Sequence, residues 1–413
     1  MPRYLLKQRR RWYAVMEIPK AVRSQFGKSR FKQTLETESL TLAEKRVRPI
    51  VVEWHKAIGL ALSGGSGDKI ADMLGHVAQA KRDGYNTSEI EDLAYDALTV
   101  SGGWGPAKFA NEESEHLYAV ATGKIWPLKP YIDAWKQALD QEPKTIDMKI
   151  SDVRQFVEKF PHAQDATNDA VIEWVEELMT AQSLSRTTVR RKISATKGFW
   201  TWLVRTKKMP IPAPFTGVVP ARAKKATKAE IAQRRKHFEV LDYKRLIASS
   251  SDDLDLQNLI MIGAHTGARI EEICSLVLDK VKSDRLIVED AKSEAGWREI
   301  PIHKDIASLV SNLKNGNSDG YMISGLTKNK YGDRSNAIGK RFGRLKSKLG
   351  YGGDYVFHSF RKSIARQLEE AGVPENISAR LVGHEIQTMT YGLYSGGADF
   401  KSKKQALNKV SFR

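Results

Sequence analysis

Apolar and polar residues repeat with two periods along this chain, and the period changes where the parts of the chain change. Near the N-terminus, RRWYAVMEIP has strand character, and SRFKQTLET (residues 29–37) alternates at period two, as strands with one buried face do. Val47, Val51, Trp54 and Ile58 then recur at helical spacing behind Thr41 and Glu44, which are spaced as a capping box. Pro49 predicts an interruption or kink near the start of that helix. SGGSGD and SGGWGP punctuate the chain on either side of a second helical stretch.

From about Leu128 the pattern is plainly helical. Tyr131, Trp135 and Leu139 lie on one helix face, Ile150, Val153 and Val157 on a second, and Val171, Trp174, Val175 and Leu178 on a third. A fourth helix, in SRTTVRRKISATKGFWTWLV, turns Val189, Ile193, Trp200 and Leu203 to a core, with Ser185 or Thr187 as its cap. MPIPAPFTGVVP carries four of the 14 prolines and leads into a basic run, the composition of an extended strap. After Phe238, DLQNLIMIGAHTGARIEEICSLVLDKV predicts a helix, a break at Thr266–Gly267 and a second helix. RLIVED and REIPIH then alternate as the two strands of an antiparallel hairpin. The pattern predicts a mainly α fold with small β-sheets, divided into residues 1–115, 120–215, a basic linker at 216–236, and 237–413.

Composition narrows the partners. A chain of 413 residues with 41% hydrophobic and 28% charged residues has room for several cores, as soluble globular proteins do. It lacks both a secretory signal and a run near the roughly 20 apolar residues that a membrane span needs, so a cytoplasmic, nucleoid-associated protein without membrane contact is expected. One cysteine, Cys274, excludes an intrachain disulfide and a cysteine metal site, and IEEICSLVL places it in a core. The net charge of +18 attracts polyanions, nucleic acid first among them. Arg186, Arg190, Arg191, Lys192 and Lys197 lie off the apolar stripe of the fourth helix, as phosphate contacts or as a solvated basic face.

The last third holds the chemistry. Arg269 stands where the second helix of the broken pair begins, placed to face an anion, with Glu272 one turn later to hold it. Lys292 sits where the hairpin enters its turn, and Arg298, in the second strand, is expected against DNA backbone or a carboxylate. His358 and Arg361 share a helix face, His384 follows Gly383, and Tyr391 and Tyr394 come next. Singly, each has an ordinary polar or solvated reading.

Arg, a hairpin Lys, His-x-x-Arg, Gly-His and Tyr, in that order across about 238–397, resemble the tyrosine recombinase (phage integrase) family. The resemblance implies a multidomain DNA clamp: an N-terminal α+β arm-type domain, a helical core-binding domain and a mixed α/β catalytic domain. It implies that Arg269 and Arg361 bind the scissile phosphate and that His384 bonds a non-bridging oxygen. Lys292 would protonate the leaving 5′ oxygen, His358 would assist proton transfer, and Glu272 would position Arg269. The implied product is a 3′-phosphotyrosyl link, formed without metal, ATP or another cofactor.

In the family the nucleophile most often follows the Gly-His histidine by nine positions; here that position is Leu393, with Tyr391 at seven and Tyr394 at ten. One added residue is absorbed more easily than two lost ones, and TYGLYSGG resembles integrases whose last tyrosine acts. Tyr394 is therefore expected as nucleophile and Tyr391 as packing.

The implied partners are double-stranded DNA attachment sites, three further copies of the chain on DNA, a directionality factor and a DNA-bending protein. Integration or excision of a phage or other mobile element is the function implied. Alternatives are a dimer-resolving recombinase, a type IB topoisomerase-like enzyme and a non-catalytic DNA-binding regulator. The basic tail after the tyrosine is expected to dock on a neighbouring subunit, or else to fray.

Overall fold

The computed structural model describes residues 4–18, 20–63, 68–100, 108–221, 236–289, 297–384 and 398–413. The chain forms two compact units, Met1–Arg222 and Ala223–Arg413. It is mainly helical with small sheets. Among the described residues, no helix is long and apolar enough to cross a membrane.

The first unit opens with an antiparallel sheet of β1 (Leu5–Gln8), β2 (Arg11–Glu17) and β3 (Arg30–Thr34), in that order. Alternation along β2 buries Trp12, Ala14 and Met16, and register places Met16 opposite buried Phe31. Helix α1 (Leu40–Ser63) packs Val47, Val51 and Ile58 into the same core. Its start differs from the expectation: the helix begins one residue before Thr41, and the Oγ of Ser39 accepts from the Leu42 amide at 3.4 Å. Pro49 lies inside α1 without ending it. The apolar stripe packed on the sheet outweighs the one backbone bond that proline removes.

Three helices follow, α2 (Lys69–Arg82), α3 (Thr87–Leu98) and α4 (Glu112–Ala121), started by the side-chain caps Asp68, Asn86 and Asn111. A second core in this unit is built from α5 (Pro143–Lys159), α6 (Asn168–Thr180) and α7 (Arg186–Trp202). The apolar positions expected on these three helices are all buried. The Tyr131–Leu139 stretch departs from the single helix expected. It is a 3-10 turn, Lys129–Tyr131, running into a short helix, Ile132–Gln137, with Pro130 at the start and Leu139 beyond the end. Ser185, not Thr187, caps α7, accepting from the Thr188 amide at 3.2 Å.

The second unit contains α8 (Val240–Ala248), α9 (Leu254–Thr266) and α10 (Ile270–Cys274), then the hairpin β4 (Arg285–Val288) and β5 (Arg298–Pro301). The hairpin is antiparallel as expected, pairing Val288 with Arg298. Helices α11 (Ala307–Gly316), α12 (Ser335–Lys348), α13 (Ser359–Glu370), α14 (Glu375–Val382) and α15 (Phe400–Leu407) complete it. Cys274 is buried in this core, and burial pushes its thiol up to about 12, the inert state expected. The C-terminal tail is docked on its own unit: Leu407, Val410 and Phe412 join the core, and His303 Nε2 lies 3.0 Å from the Val410 carbonyl. Arg413 pairs with Asp305 beside them.

Gly263, buried in α9, has no room for a side chain, because a Cβ there would come within 2.4 Å of the Phe357 ring. Gly263→Ala should therefore destabilise the second unit by about 1–3 kcal/mol, reversing the gain of about 1 kcal/mol that alanine brings to an open helix. Urea unfolding of the full chain checks this; unchanged or higher stability would mean that Phe357 yields without cost.

Candidate active site

The site forms where four elements of the second unit end. Helix α9 stops at Gly267, whose φ of +63° closes the helix in the left-handed conformation. Two residues later Arg269 starts α10, and α14 stops in the same way at Gly383, with φ +67°, just before His384. Helix α13 carries Arg361 three residues beyond His358, which stands exposed at its N-terminal end.

Arg361 is 2% exposed. Its Nη1 donates to the carbonyl of Gly267 at 3.0 Å and its Nη2 to that of Gly383 at 3.1 Å. Its Nε donates to His384 Nε2 at 3.3 Å, which leaves the proton of a neutral imidazole on Nδ1. Burial, followed by the charges of Arg298 and Arg269, pushes the Arg361 guanidinium down to about 9. Burial and the charges of the same three arginines hold His384 below its ordinary value.

Glu272, 9% exposed, is a carboxylate whose charge opposes that lowering of Arg361. It accepts from the Arg269 amide at 2.8 Å and from Arg269 Nη1 at 2.6 Å. Arg298, its side chain 5% exposed, donates Nη2 to Glu272 at 2.9 Å and Nε to the Leu381 carbonyl at 3.0 Å. Burial pushes the Glu272 carboxyl up, but bonds from Arg298, its charge and the bonds from Arg269 outweigh that and hold it low. Arg269 remains 43% exposed at its side chain. Two guanidinium groups, those of Arg269 and Arg298, thus share the Glu272 carboxylate, while the charge of Arg361 is met by carbonyl oxygens, so the cluster keeps surplus positive charge, with Arg269 its half-exposed member. Such an arrangement binds an anion with several oxygens.

The structure brings Arg269, Glu272, Arg361 and His384 together as expected and adds what sequence reasoning did not foresee, the carbonyls of Gly267 and Gly383. Their signal was present as a glycine at each helix end. Arg298 takes the carboxylate rather than a place on the surface, and a Cβ on Gly383 would approach its Nη1 to 2.8 Å. Lys292, Tyr391 and Tyr394 lie outside the described residues. On α7 the basic residues divide. Arg190 and Lys197 are exposed, whereas Arg186 donates to the Pro220 carbonyl at 2.7 Å, and Arg191 and Lys192 both bind Asp152.

Comparison with known proteins places the chain in a family and supports the fold. Residues 236–399 match the phage integrase family, residues 132–207 the phage integrase N-terminal SAM-like domain, and residues 4–61 a domain of unknown function (DUF6538). A crystal structure of a lambda integrase dimer bound to a COC′ core site is similar at 15% identity, covering 97% of this chain and 97% of that one with a TM-score of 0.51. A lambda integrase tetramer bound to a Holliday junction is similar at 15% identity and a TM-score of 0.51, covering 94% of this chain and 97% of that one. No curated protein matches the chain. The matches to the phage integrase family and to its SAM-like domain make the chain an enzyme that breaks and rejoins DNA strands. The chain belongs to the phage integrase family, the tyrosine-type site-specific recombinases.

Arg298→Met should destabilise the second unit by about 3–5 kcal/mol at neutral pH, because it leaves Glu272 buried with only Arg269 as its ionic partner. In the wild type the low Glu272 carboxyl contributes stability that is complete above its ordinary 4.5 and is lost as the pH falls through the lower folded value. In the variant, burial dominates and the carboxyl rises, so the gap between the two proteins should narrow on acidification. Urea unfolding at a series of pH values tests this, and a gap independent of pH would contradict it.

Proposed function

We propose that this recombinase cleaves one DNA strand by attack of the Tyr394 phenolic oxygen on a phosphodiester held by Arg269, Arg361 and His384. The new bond joins that oxygen to the 3′ phosphate, and the bond to the 5′ oxygen breaks. His358 assists removal of the phenol proton, and Lys292 delivers a proton to the departing 5′ oxygen. The phosphotyrosyl bond retains the energy of the original diester, so a second 5′ hydroxyl rejoins the strand by the reverse step without ATP.

The observation that carries this reading is the buried Arg361, fixed by two carbonyls and repelled by two neighbouring arginines. Charge that grows on phosphate oxygens in the transition state is stabilised by donors already in place, and no reorganisation is needed as it develops. Arg269, whose amide and Nη1 both bond Glu272 while its side chain stays half-exposed, supplies the second guanidinium.

The proposal extends to organisation. Residues 120–215 would hold one side of core DNA, with Arg190 and Lys197 towards phosphate, and residues 237–413 the other, joined by a strap at 216–236. Residues 1–115 would serve accessory sites or assembly. Four protomers exchanging strands in pairs is the assembly this reading favours, in keeping with the lambda integrase tetramer on a Holliday junction. Integration and excision of a mobile element would follow.

Covalent trapping on nicked duplexes from the DNA flanking this gene, run in EDTA on a denaturing gel, tests the mechanism. Wild type and Tyr391→Phe should give a protein–DNA adduct, and Tyr394→Phe none. Loss with Tyr391→Phe alone would reassign the nucleophile. Specific binding without any adduct would replace the reading with that of a DNA-binding regulator.

A further inference from the structure

Helices α1 to α4 of the first unit surround a cleft of about 460 Å³, within the roughly 300–1,000 Å³ usual for small-molecule sites. Its walls are largely apolar, with Val52 from α1, Val77 from α2, Leu93 and Ala94 from α3, and Leu117 from α4. Lys69 and Glu113, paired at 2.6 Å, join α2 to α4 along its lining.

Two polar atoms in this lining lack what buried polar atoms almost always have. Nδ1 of His55, on α1, and Oδ1 of Asp72, on α2, are shielded from solvent and have no hydrogen-bond partner. His55 is 8% exposed and set by its surroundings: the Tyr4 hydroxyl lies 3.5 Å from its Nε2, and the Tyr4 and Tyr85 rings meet it edge-on. Burial, opposed by Asp83 and reinforced by His76, lowers its pKa and keeps the ring neutral at pH 7. Taking the ring proton on Nε2, facing the Tyr4 oxygen 3.5 Å away, makes the unpartnered Nδ1 an acceptor in the lining of the cleft. A buried acceptor left without a donor is costly, and two such atoms belong to the lining of one apolar space.

A ligand that satisfies both must offer at least two donors on one head, carry charge complementary to a carboxylate, and be hydrocarbon elsewhere. We propose that this cleft binds a small apolar primary amine, its ammonium donating to Asp72 Oδ1 and His55 Nδ1 and its hydrocarbon body lying against Val52, Leu93 and Leu117. Nothing in strand cleavage calls for such a site, so the proposal is independent of the catalytic reading. Occupancy would tie α1 to α2 through the ligand head and stabilise the first unit by mass action.

The probe is 2-phenylethylamine, titrated into the full-length protein by calorimetry, with phenylacetate as the control of equal size and opposite charge. The amine should bind saturably and raise the thermal transition, and phenylacetate should do neither. Asp72→Asn, which changes no volume, should weaken amine binding about ten-fold or more, the worth of a charge-assisted bond. Ala94→Phe, which fills the cleft, should abolish it. No saturable binding, equal binding of the acid, or undiminished affinity in Asp72→Asn would each overturn the proposal and leave the cleft to water. If Ala94→Phe does not fold, Asp72→Asn decides alone.

Discussion

A single buried guanidinium organises the catalytic unit. Arg361 is almost wholly removed from water, and a charge so placed must find oxygen ligands or unfold what surrounds it. It finds them at the C-terminal ends of α9 and α14, where unsatisfied carbonyls and the negative end of the helix dipole coincide. Glycine at both ends turns the chain so that these carbonyls point at one group. Three helices are thereby held to one another by the residue proposed to hold the phosphate. Two carbonyls and His384 take three of its five donors without cancelling its charge.

Glu272 and Arg298 form the layer that makes this stable. A carboxylate shared between a buried and a half-exposed arginine fixes one nitrogen of the Arg269 guanidinium while the side chain stays open to solvent. The same pair connects the hairpin to α10 and, through the Leu381 carbonyl, to the end of α14. The approach of Arg298 to Gly383 explains why no larger residue fits before His384. The residues of the anion site and the packing of the unit are here one network, joined at Arg298.

The basic charge of the first unit is less simple than its total. On α7, Arg191 and Lys192 bind the nearly buried Asp152 and belong to the packing of α7 on α5, while Arg190 and Lys197 remain exposed. A positive count overstates the surface offered to a polyanion by the cations that are already neutralised. The apolar cleft among α1 to α4, with its two unsatisfied acceptors, is likewise invisible to composition.

Several features were determined by the sequence alone, because they depend on neighbours a few positions away. The strand and helix periods, the break at Gly267, the hairpin and the Arg269–Glu272 pair, three residues apart, all follow from backbone geometry. Even locally the structure departs from the pattern: the Ser39 hydroxyl, not that of Thr41, meets the first turn, and α1 runs through Pro49. The tertiary structure alone decided the partners of Arg361, which lie 94 and 22 residues away, and of Arg298, 26 and 83 residues away. It also decided that the C-terminal tail lies on its own core. A periodic pattern states which face of an element is buried, but not which other element covers it. That choice depends on the summed packing of distant segments, and a buried charge takes whatever oxygens the packing delivers.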